Sequence, residues 1–256
     1  MDKKNFTNSI SSGDKSLISN LYDKIKLAEL TYKPVFTNEF VSPNVWKSIE
    51  NLQANFDVNI FSYGIFQDSE RRILAFSKDE VYDYPVKIIR IENKSKFIKL
   101  EHRDYLGALV GLGIRREKLG DLVIDDGICY AAICEDIFDY LKLNLNKVGN
   151  CPCDISLVDL NDVQQIKKNT MDSIVSSTSL RLDCIVSSLC NLSRTKAVLL
   201  IQSSKVLVDY SEVLEKDFNV EIDSIITIRG YGKFKISEQT GATQKGRLKL
   251  LVKKYI

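Results

Sequence analysis

The chain of 256 residues contains one histidine, His102, and it opens the triplet His-Arg-Asp that begins the catalytic loop of protein kinases. In a kinase an asparagine five residues beyond the aspartate holds magnesium, whereas here the corresponding residue beyond Asp104 is Leu109. Conventional Ser-His or Cys-His chemistry would also have to use His102, which has no motif partner in the sequence. We therefore predict no catalytic residue and a protein that is not an enzyme.

Three glycines follow the triplet, Gly107, Gly111 and Gly113, with the spacing G-x3-G-x-G. This spacing is neither the dinucleotide-binding pattern nor the P-loop pattern, so we predict no cofactor site. Gly107 and Gly111 are four residues apart on one face of a predicted helix, where we expect the missing side chains to allow close packing on a sheet. Gly113, followed by Ile114, is typical of a helix C-cap.

Six cysteines occur in the chain, and two closely spaced pairs are candidates for a four-thiolate zinc site. Cys129 and Cys134 form one pair and Cys151 and Cys153 the other, but neither pair has the Cys-x-x-Cys spacing of a zinc knuckle. The N-terminus lacks the apolar segment of a secretory signal, so we expect reduced thiols. The pattern favours small buried apolar side chains over ligands, and we predict no bound metal.

The net charge of +2 is unevenly distributed along the chain. Residues 181–256 contain 13 Lys and Arg against 8 Asp and Glu, whereas residues 1–180 contain 23 against 26. A basic C-terminal end on a slightly acidic body predicts that this end binds a polyanion. The longest uncharged apolar stretch near the centre, residues 106–114, is too short to cross a bilayer. We expect a cytoplasmic protein without membrane insertion.

Periodicity predicts the elements that must position these residues. Apolar residues recur with helical spacing between Leu17 and Ala28, and Ser42 followed by Pro43 is typical of a helix start. From Val86 onward the pattern indicates a strand, a helix, two strands joined at an Asp-Asp-Gly turn, a second helix and a final strand. The order β-α-β-β-α-β predicts an RRM-like, ferredoxin-like sandwich.

We therefore expect an α+β fold in three parts. These are an N-terminal helical and β region (residues 1–84), an RRM-like domain (residues 85–165), and a connector strand with a small α/β domain (residues 166–256). An RRM that binds RNA on its sheet needs aromatic side chains on the central strands, and Tyr130 is the one candidate here. We predict that this sheet is not a surface for base stacking.

The C-terminal part combines two short helices with basic residues. Ser193 is a good N-cap for the second helix, which begins with Arg194, Thr195 and Lys196, and Arg181 precedes the first helix. A helix N-terminus presents free N–H groups and a partial positive charge, so basic residues there predict a phosphate-binding point.

The pattern RLD-x5-L-x3-SR-x2-A-x2-LI-x3-KV-x-V resembles the RNA-binding domain first described in ribosomal small-subunit protein four. The resemblance implies a helix pair that docks on structured RNA. Arg181, Ser193, Arg194, Lys196 and Lys205 match its RNA-facing positions. Ser204 and Asp209-Tyr210 replace the usual glycine and Asn-Gly, which affects two turns. We expect the basic residues of the tight turn that follows to contribute as well; they are Arg229, Lys233 and Lys235.

A wider resemblance, from about residue 50 to the end, is to the YlmH-type RNA-binding proteins of bacteria. It rests on the stretch HRDYLGALVGLGIRREKLGDLVIDD, the helix pair, IRGYGKFKI and TQKGRLKLLVKKY. It implies binding of ribosomal RNA and of tRNA on the large ribosomal subunit, in translation rescue or ribosome-associated quality control, with a link to cell division. One alternative is an RNA-modifying enzyme such as a pseudouridine synthase relative, although the single Arg-Leu-Asp, residues 181–183, lies in the RNA-binding domain itself. Another is a cell-division adaptor with secondary RNA binding.

Arg115, Arg116 and Lys118 follow the central helix in a predicted exposed turn. Basic clusters in turns often contact phosphate, so this cluster is a candidate second RNA contact. A solvated surface explains it equally well. The same choice applies to Lys249 and Lys253 near the C-terminus, for which a solvated strand face is at least as good an explanation.

Overall fold

The computed structural model describes residues 1–10, 14–66, 69–95, 98–163, 166 and 170–255. The fold is α+β, and the chain divides into two compact units, Met1–Lys168 and Asn169–Ile256. Among the described residues no single helix is long and apolar enough to cross a membrane, although the bent pair Leu182–Cys190 and Arg194–Gln202 reaches that length and composition when counted together.

The first unit begins with three helices and a small antiparallel sheet. The helices are α1 (Lys3–Ser9), α2 (Lys15–Thr31) and α3 (Pro43–Asn51), and the strands are β1 (Val35–Phe36), β2 (Asn59–Tyr63) and β3 (Ile73–Ser77), in the order β1-β3-β2. The predicted apolar stripe of α2 is confirmed, because Ile18, Leu21, Ile25 and Ala28 are buried in the core of this region. Ser42 occupies the N-cap position of α3, with Pro43 in the first turn, as predicted, although its side chain makes no capping hydrogen bond.

The rest of the first unit has the β-α-β-β-α-β order, with two short additions before and after its last strand. Its elements are β4 (Val86–Asn93), α4 (His102–Gly111), β5 (Leu119–Asp125), β6 (Ile128–Cys134), α5 (Phe138–Asn144), β7 (Lys147–Val148), β8 (Cys151–Val158) and α6 (Leu160–Val163). The sheet is antiparallel throughout, in the order β5-β6-β4-β8-β7. Asp126 and Gly127 have φ values of 45° and 78°, which is the left-handed geometry of a tight hairpin turn.

Both faces of this central sheet are covered. On one face α4 and α5 bury Tyr105 and Leu141 against Ile89. On the other face, residues from the N-terminal region pack on the strands, among them the buried side chains of Phe40 and Phe66. That second face is the one on which an RRM stacks bases. Since it is filled with apolar side chains from the same unit, the central sheet cannot present it to RNA.

The prediction for two of the glycines in α4 was wrong. Gly107 and Gly111 are exposed, and a Cβ atom on either would meet nothing within 4 Å. The helix turns its buried side, Tyr105 and Leu109, toward the sheet, and residues two positions further along lie on the opposite side. Gly113 has a φ of +82° just after the helix, so its predicted role as a C-cap glycine is confirmed.

The glycine that does permit close approach lies elsewhere, on β5. A Cβ atom on Gly120 would lie 2.7 Å from Cε1 of Phe40 and 2.8 Å from Cβ of Ala132. Gly120 therefore lets the N-terminal region pack directly on the central sheet.

The cysteines are free thiols, and all but Cys190 are buried. Cys129 and Cys153 belong to the core beneath the helices, whereas Cys134 lies on the opposite side of the sheet. Burial raises the pKa of Cys134 to about 12 and that of Cys190 to about 11. The prediction that these side chains are small buried apolar groups is confirmed for the five buried thiols.

The second unit is a helix pair on one face of a sheet. Its elements are β9 (Thr170–Ser177), α7 (Leu182–Cys190), α8 (Arg194–Gln202), β10 (Val206–Val208), β11 (Ser211–Glu212), β12 (Ile225–Ile228), β13 (Gly232–Ala242) and β14 (Leu248–Tyr255). The strands are antiparallel in the order β11-β10-β12-β13-β14-β9. Ile185 and Ile201 of the helices are buried against Val206, Phe234 and Val252 of the sheet.

Candidate nucleic-acid interface

The two helices of the second unit meet at a sharp corner. The C-cap of α7 is Asn191, which has a φ of 53° in the left-handed region, and α8 begins three residues later. The bend between the helices is 111°. Ser193 is the N-cap of α8, and its hydroxyl accepts a hydrogen bond of 3.4 Å from the backbone N–H of Lys196. The corner therefore brings the first turn of α8 close to the first turn of α7.

A buried carboxylate, that of Asp183, joins these two turns. Its side chain is only 3% exposed and accepts hydrogen bonds from Nε of Arg194 at 2.9 Å and from Nε of Arg181 at 3.3 Å. Burial by itself would raise the pKa of Asp183, but the hydrogen bonds from Arg181 and Arg194 outweigh it, and the pKa is lowered. Asp183 is therefore a charged anchor that fixes both guanidinium groups.

Both guanidinium groups keep a free side for a ligand. The side chain of Arg181 is 38% exposed and that of Arg194 is 57% exposed. A guanidinium has five N–H donors, so one that gives two to Asp183 still has donors for a phosphate. The two arginines form a fixed pair of cations next to the exposed residues Thr195 and Lys196.

The backbone N–H groups at the N-termini of the two helices have different hydrogen-bond acceptors. The N–H groups of Leu182 and Asp183 in α7 donate to the backbone carbonyls of Phe218 and Lys216, at 2.8 Å and 3.0 Å. That end is closed by the protein. In α8 only the Ser193 hydroxyl caps the first turn, and no bond from its first N–H groups to another segment is found in residues 170–255. Of the two helices, α8 is the one whose N-terminus can receive an anion.

The other predicted residues of this unit lie on two further surfaces. Lys205 and Arg229 are neighbours, since the N–H of Arg229 donates to the carbonyl of Lys205 at 2.9 Å, and both side chains are exposed. They lie at the C-terminal end of α8, where the N–H of Lys205 donates to the carbonyl of Leu200. Lys233 and Lys235 alternate with the buried Phe234 on β13, so they point away from the helices.

The basic turn after α4 is engaged in contacts within the first unit. Arg115 forms an ion pair with Glu39, and Lys118 forms one with Asp136. Arg116 donates to the carbonyl of Gly120 at 3.2 Å, and its burial lowers its pKa to about 10. The ion pair of Arg115 with Glu39, together with a hydrogen bond of 3.0 Å from Nζ of Lys118 to the carbonyl of Asn38, holds the N-terminal region on the central domain. A contact of this cluster with RNA stays a prediction.

The central domain as a whole is not basic. Residues 79–162 contain 11 Lys and Arg against 16 Asp and Glu, a net charge of −5. Several of its cations are also held in ion pairs with acidic neighbours: Lys87 with Glu135, Arg90 with Glu92, Lys94 with Asp154 and Arg103 with Glu101. Electrostatics therefore favours the second unit as the part that grips a nucleic acid.

Two features of the second unit were missed from the sequence. The sequence identifies the Arg-Leu-Asp motif but does not show that Asp183 anchors two arginines. The one signal of this role in the sequence is an acidic residue within an otherwise basic motif. The second feature is the pair of tyrosines beside Lys233, whose ammonium lies 4.5 Å from the ring centroid of Tyr210 and 5.5 Å from that of Tyr255. Tyr210 and Tyr255 are far apart in sequence, so only the fold reveals this cluster.

Similarity to known proteins points to RNA binding, and the matched RNA-binding family model lies on the central domain and not on the second unit. Residues 79–162 match the family model described as "Putative RNA-binding domain in YlmH". Over 240 residues the chain is 25% identical to "Ribosome-associated protein quality control protein P2" of Bacillus subtilis (strain 168), covering 91% of this chain and 92% of that protein. The solved structure of "Cell division protein ylmH from Streptococcus pneumoniae" has a similar fold, with a TM-score of 0.51 at 21% identity over 61% of this chain and 96% of that one. Residues 79–162 therefore match the RNA-binding domain of the YlmH type, and the chain is similar along most of its length to a ribosome-associated protein.

Proposed function

We propose that this chain is a non-enzymatic RNA-binding protein of the cytoplasm that acts on the ribosome. Its second unit grips folded ribosomal RNA through the corner between α7 and α8. The observation that carries the proposal is the buried carboxylate of Asp183, which fixes Arg181 and Arg194 beside the open N-terminus of α8. The name of the Bacillus subtilis relative, a ribosome-associated quality control protein, supports the ribosome as the place of action.

The physical basis of this grip is recognition of phosphate. Arginine donors in a fixed position form charge-assisted hydrogen bonds with phosphate oxygens, and the partial positive charge at the start of α8 adds to the attraction. Lys196, two residues further along α8 and also exposed, adds a third cation in the first turn of that helix. Such contacts set position and affinity and leave sequence unread. We therefore expect selection for the shape of a folded RNA.

Ribosome binding by a charge-deleted variant tests this proposal. Arg194→Ala with Lys196→Ala removes two cations from the corner, and co-sedimentation with purified ribosomes should fall. In a plot of log affinity against log salt, the slope should become shallower by about 1.8, because each lost phosphate contact of a duplex accounts for about 0.9. The matched control, Lys245→Ala with Arg247→Ala, removes two exposed cations of the β13–β14 turn. Equal co-sedimentation of the two variants would contradict the assignment of the RNA-binding surface to the helix corner.

We further propose the large subunit and its peptidyl-tRNA as the site of action. Separated subunits, with and without bound peptidyl-tRNA, are the direct probe. Binding should be stronger to the large subunit and stronger still when peptidyl-tRNA is present. Equal retention on both subunits would contradict this part of the proposal and leave the RNA-binding corner intact.

The absence of enzymatic activity has its own test. Mass mapping of ribosomal and transfer RNA from a deletion strain should show the full set of modifications. A missing modification that the protein restores would favour an RNA-modifying enzyme.

The same variants can also test a role in cell division. The solved relative from Streptococcus pneumoniae is called a cell division protein. We expect that a division defect of a deletion strain would persist with Arg194→Ala and Lys196→Ala, because RNA binding is primary. Full rescue by this double variant would instead favour an adaptor function.

A further inference from the structure

The second unit has a sheet face that its helices leave uncovered. α7 and α8 pack on the side of the sheet that carries Phe234 and Val252. Because side chains alternate between the two faces of a sheet, the residues next to Phe234 in β13 and next to Val252 in β14 point to the opposite side. The strand register shows which side chains meet there. Lys235 of β13 lies directly opposite Lys253 of β14, and Lys233 lies opposite Thr227 of β12.

Lys235 and Lys253 are like charges at directly opposite positions of neighbouring strands, an arrangement that normally destabilises a sheet. Part of this repulsion is offset: Nζ of Lys235 lies 2.9 Å from a carboxylate oxygen of Asp223, and Asp172 of β9 stands opposite Lys253. Even so, in the described part of this unit no ion pair within 4 Å holds the ammonium of Lys253. An anion bridging the two lysines would remove the remaining cost.

Aromatic rings accompany these lysines. The ammonium of Lys233 lies over the rings of Tyr210 and Tyr255, at 4.5 Å and 5.5 Å from their centroids. Because Phe234 pairs with Lys254, Tyr255 is the next neighbour of Lys233 across the strands. Lysines interleaved with aromatic rings on an open sheet are the combination that binds unpaired nucleic acid, with phosphates on the cations and bases on the rings.

We propose that this face is a second RNA-binding surface and that it takes an unpaired RNA strand. We call it the lysine–tyrosine face, and it consists of Tyr210, Lys233, Lys235, Lys253 and Tyr255. It is distinct from the helix corner, which takes folded RNA. The inference rests on the proposed function in one respect only, namely that the ligand is RNA.

The composition of the face favours RNA over a protein partner. The centres of protein–protein interfaces are depleted in lysine, because burying an ammonium against protein is costly. Here three lysines occupy the centre of the face, and the exposed apolar Ile174 lies on the edge strand β9. The phosphates of an RNA strand supply negative charge along such a row of lysines, of which Lys253 has no ion pair in the described part of the unit.

Binding of a labelled oligouridylate by the full chain, followed by fluorescence anisotropy, tests the proposal. Lys235→Ala with Lys253→Ala should weaken binding at least fivefold and make the salt slope shallower by about 1.4, because each single-strand phosphate contact contributes about 0.7. Tyr255→Leu should weaken binding between about fivefold and a hundredfold without a change in slope, since stacking involves no counterion. The control, Lys245→Ala with Arg247→Ala, should stay within twofold of wild type.

The outcomes separate this inference from the proposed function. If the lysine variant binds oligouridylate like the control, while Arg194→Ala with Lys196→Ala still loses a structured rRNA helix, the lysine–tyrosine face is not an RNA site. If neither variant changes binding to either RNA, the proposed function fails as well. Loss of ribosome co-sedimentation by the lysine variant with oligouridylate binding intact would indicate a protein partner and would also overturn the inference. Thermal unfolding of each variant establishes that it is folded.

Discussion

Substitution of Asp183 by Asn removes one buried charge and almost no volume. In the wild-type protein this carboxylate accepts hydrogen bonds from both Arg181 and Arg194. Asparagine keeps one acceptor oxygen and loses the negative charge that makes both bonds strong. The substitution therefore tests whether the charge of Asp183 organises the helix corner.

The expected magnitude follows from the exposure of the two partners. A hydrogen bond to a charged group contributes about 1.5–3 kcal/mol, and two are weakened here. The arginine side chains are 38% and 57% exposed, so water replaces part of what is lost. We expect the free energy of unfolding of the second unit to fall by about 2 kcal/mol. For a unit of this size that corresponds to a decrease of roughly 10 °C in Tm.

The chain carries its own internal reference for this measurement. Trp46 is the single tryptophan, and it lies in the first unit. Tryptophan fluorescence should therefore report a melting transition that Asp183→Asn does not move, while far-UV circular dichroism should show a second transition at lower temperature. RNA affinity should fall several-fold with an unchanged salt slope, because the arginines are still present but no longer fixed. An unchanged circular-dichroism transition together with wild-type RNA affinity would refute the reasoning.

Acid provides a second test of the same anchor. The folded state lowers the pKa of Asp183, so the unfolded state binds the proton more tightly. The stabilisation is fully present above the ordinary aspartate pKa of about 3.9 and is lost as pH falls through the lower folded-state pKa. The stability difference between wild type and Asp183→Asn should therefore be constant near neutral pH and shrink below about pH 4. A difference that grows with acid would contradict the anchor.

Three further predictions concern the first unit. Gly120→Ala should destabilise it by about 1–3 kcal/mol in chemical denaturation, because the new Cβ atom would overlap Phe40, whereas Gly107→Ala on the exposed side of α4 should stabilise it by about 0.5–1 kcal/mol. Lys118→Met should lower stability, since its ammonium is bonded within the unit; if the predicted contact of this cluster with RNA exists, the salt slope of RNA binding should also become shallower. Cys134 should resist alkylation at pH 8 in the native protein and react once unfolded, as mass spectrometry can follow, because burial raises its pKa to about 12.

Local chemistry made much of the fold predictable. The alternation of apolar residues from Val86 onward and the Asp-Asp-Gly turn indicated the hairpin that the structure contains at Asp126 and Gly127. The spacing of Ser193 and the residues after it likewise indicated the start of α8. These features depend on neighbours in sequence, and periodicity records such neighbours directly.

Long-range packing was not predictable in the same way. Nothing near Phe40 in the sequence indicates that it packs on the central sheet beside Gly120. The orientation of Gly107 was misjudged because the spacing of two glycines defines a helix face but does not say which face meets the sheet. The face that meets the sheet is determined by Tyr105 and Leu109, the buried apolar residues of the same helix.

The sequence predicts which basic residues belong to the candidate site, but it does not predict how their side chains are arranged on the surface. The alternation of Lys233, Phe234 and Lys235 already separates these lysines from the buried side of β13. What the alternation does not show is the neighbour across the strand, and that neighbour turns Lys235 into half of a like-charge pair with Lys253. Cross-strand register is a property of the folded sheet.

The covering of the central sheet by Phe40 also orders events during synthesis. Phe40 leaves the ribosome 94 residues before Cys134, the last residue of β6, one of the strands on which Phe40 packs. At bacterial elongation rates of about 5–20 residues per second, the N-terminal region waits roughly 5–20 s with this apolar side uncovered. A protein proposed to act on ribosomes is thus itself sensitive to a pause in its own translation between β3 and β6, because the nascent chain would then expose an apolar surface without its partner strands.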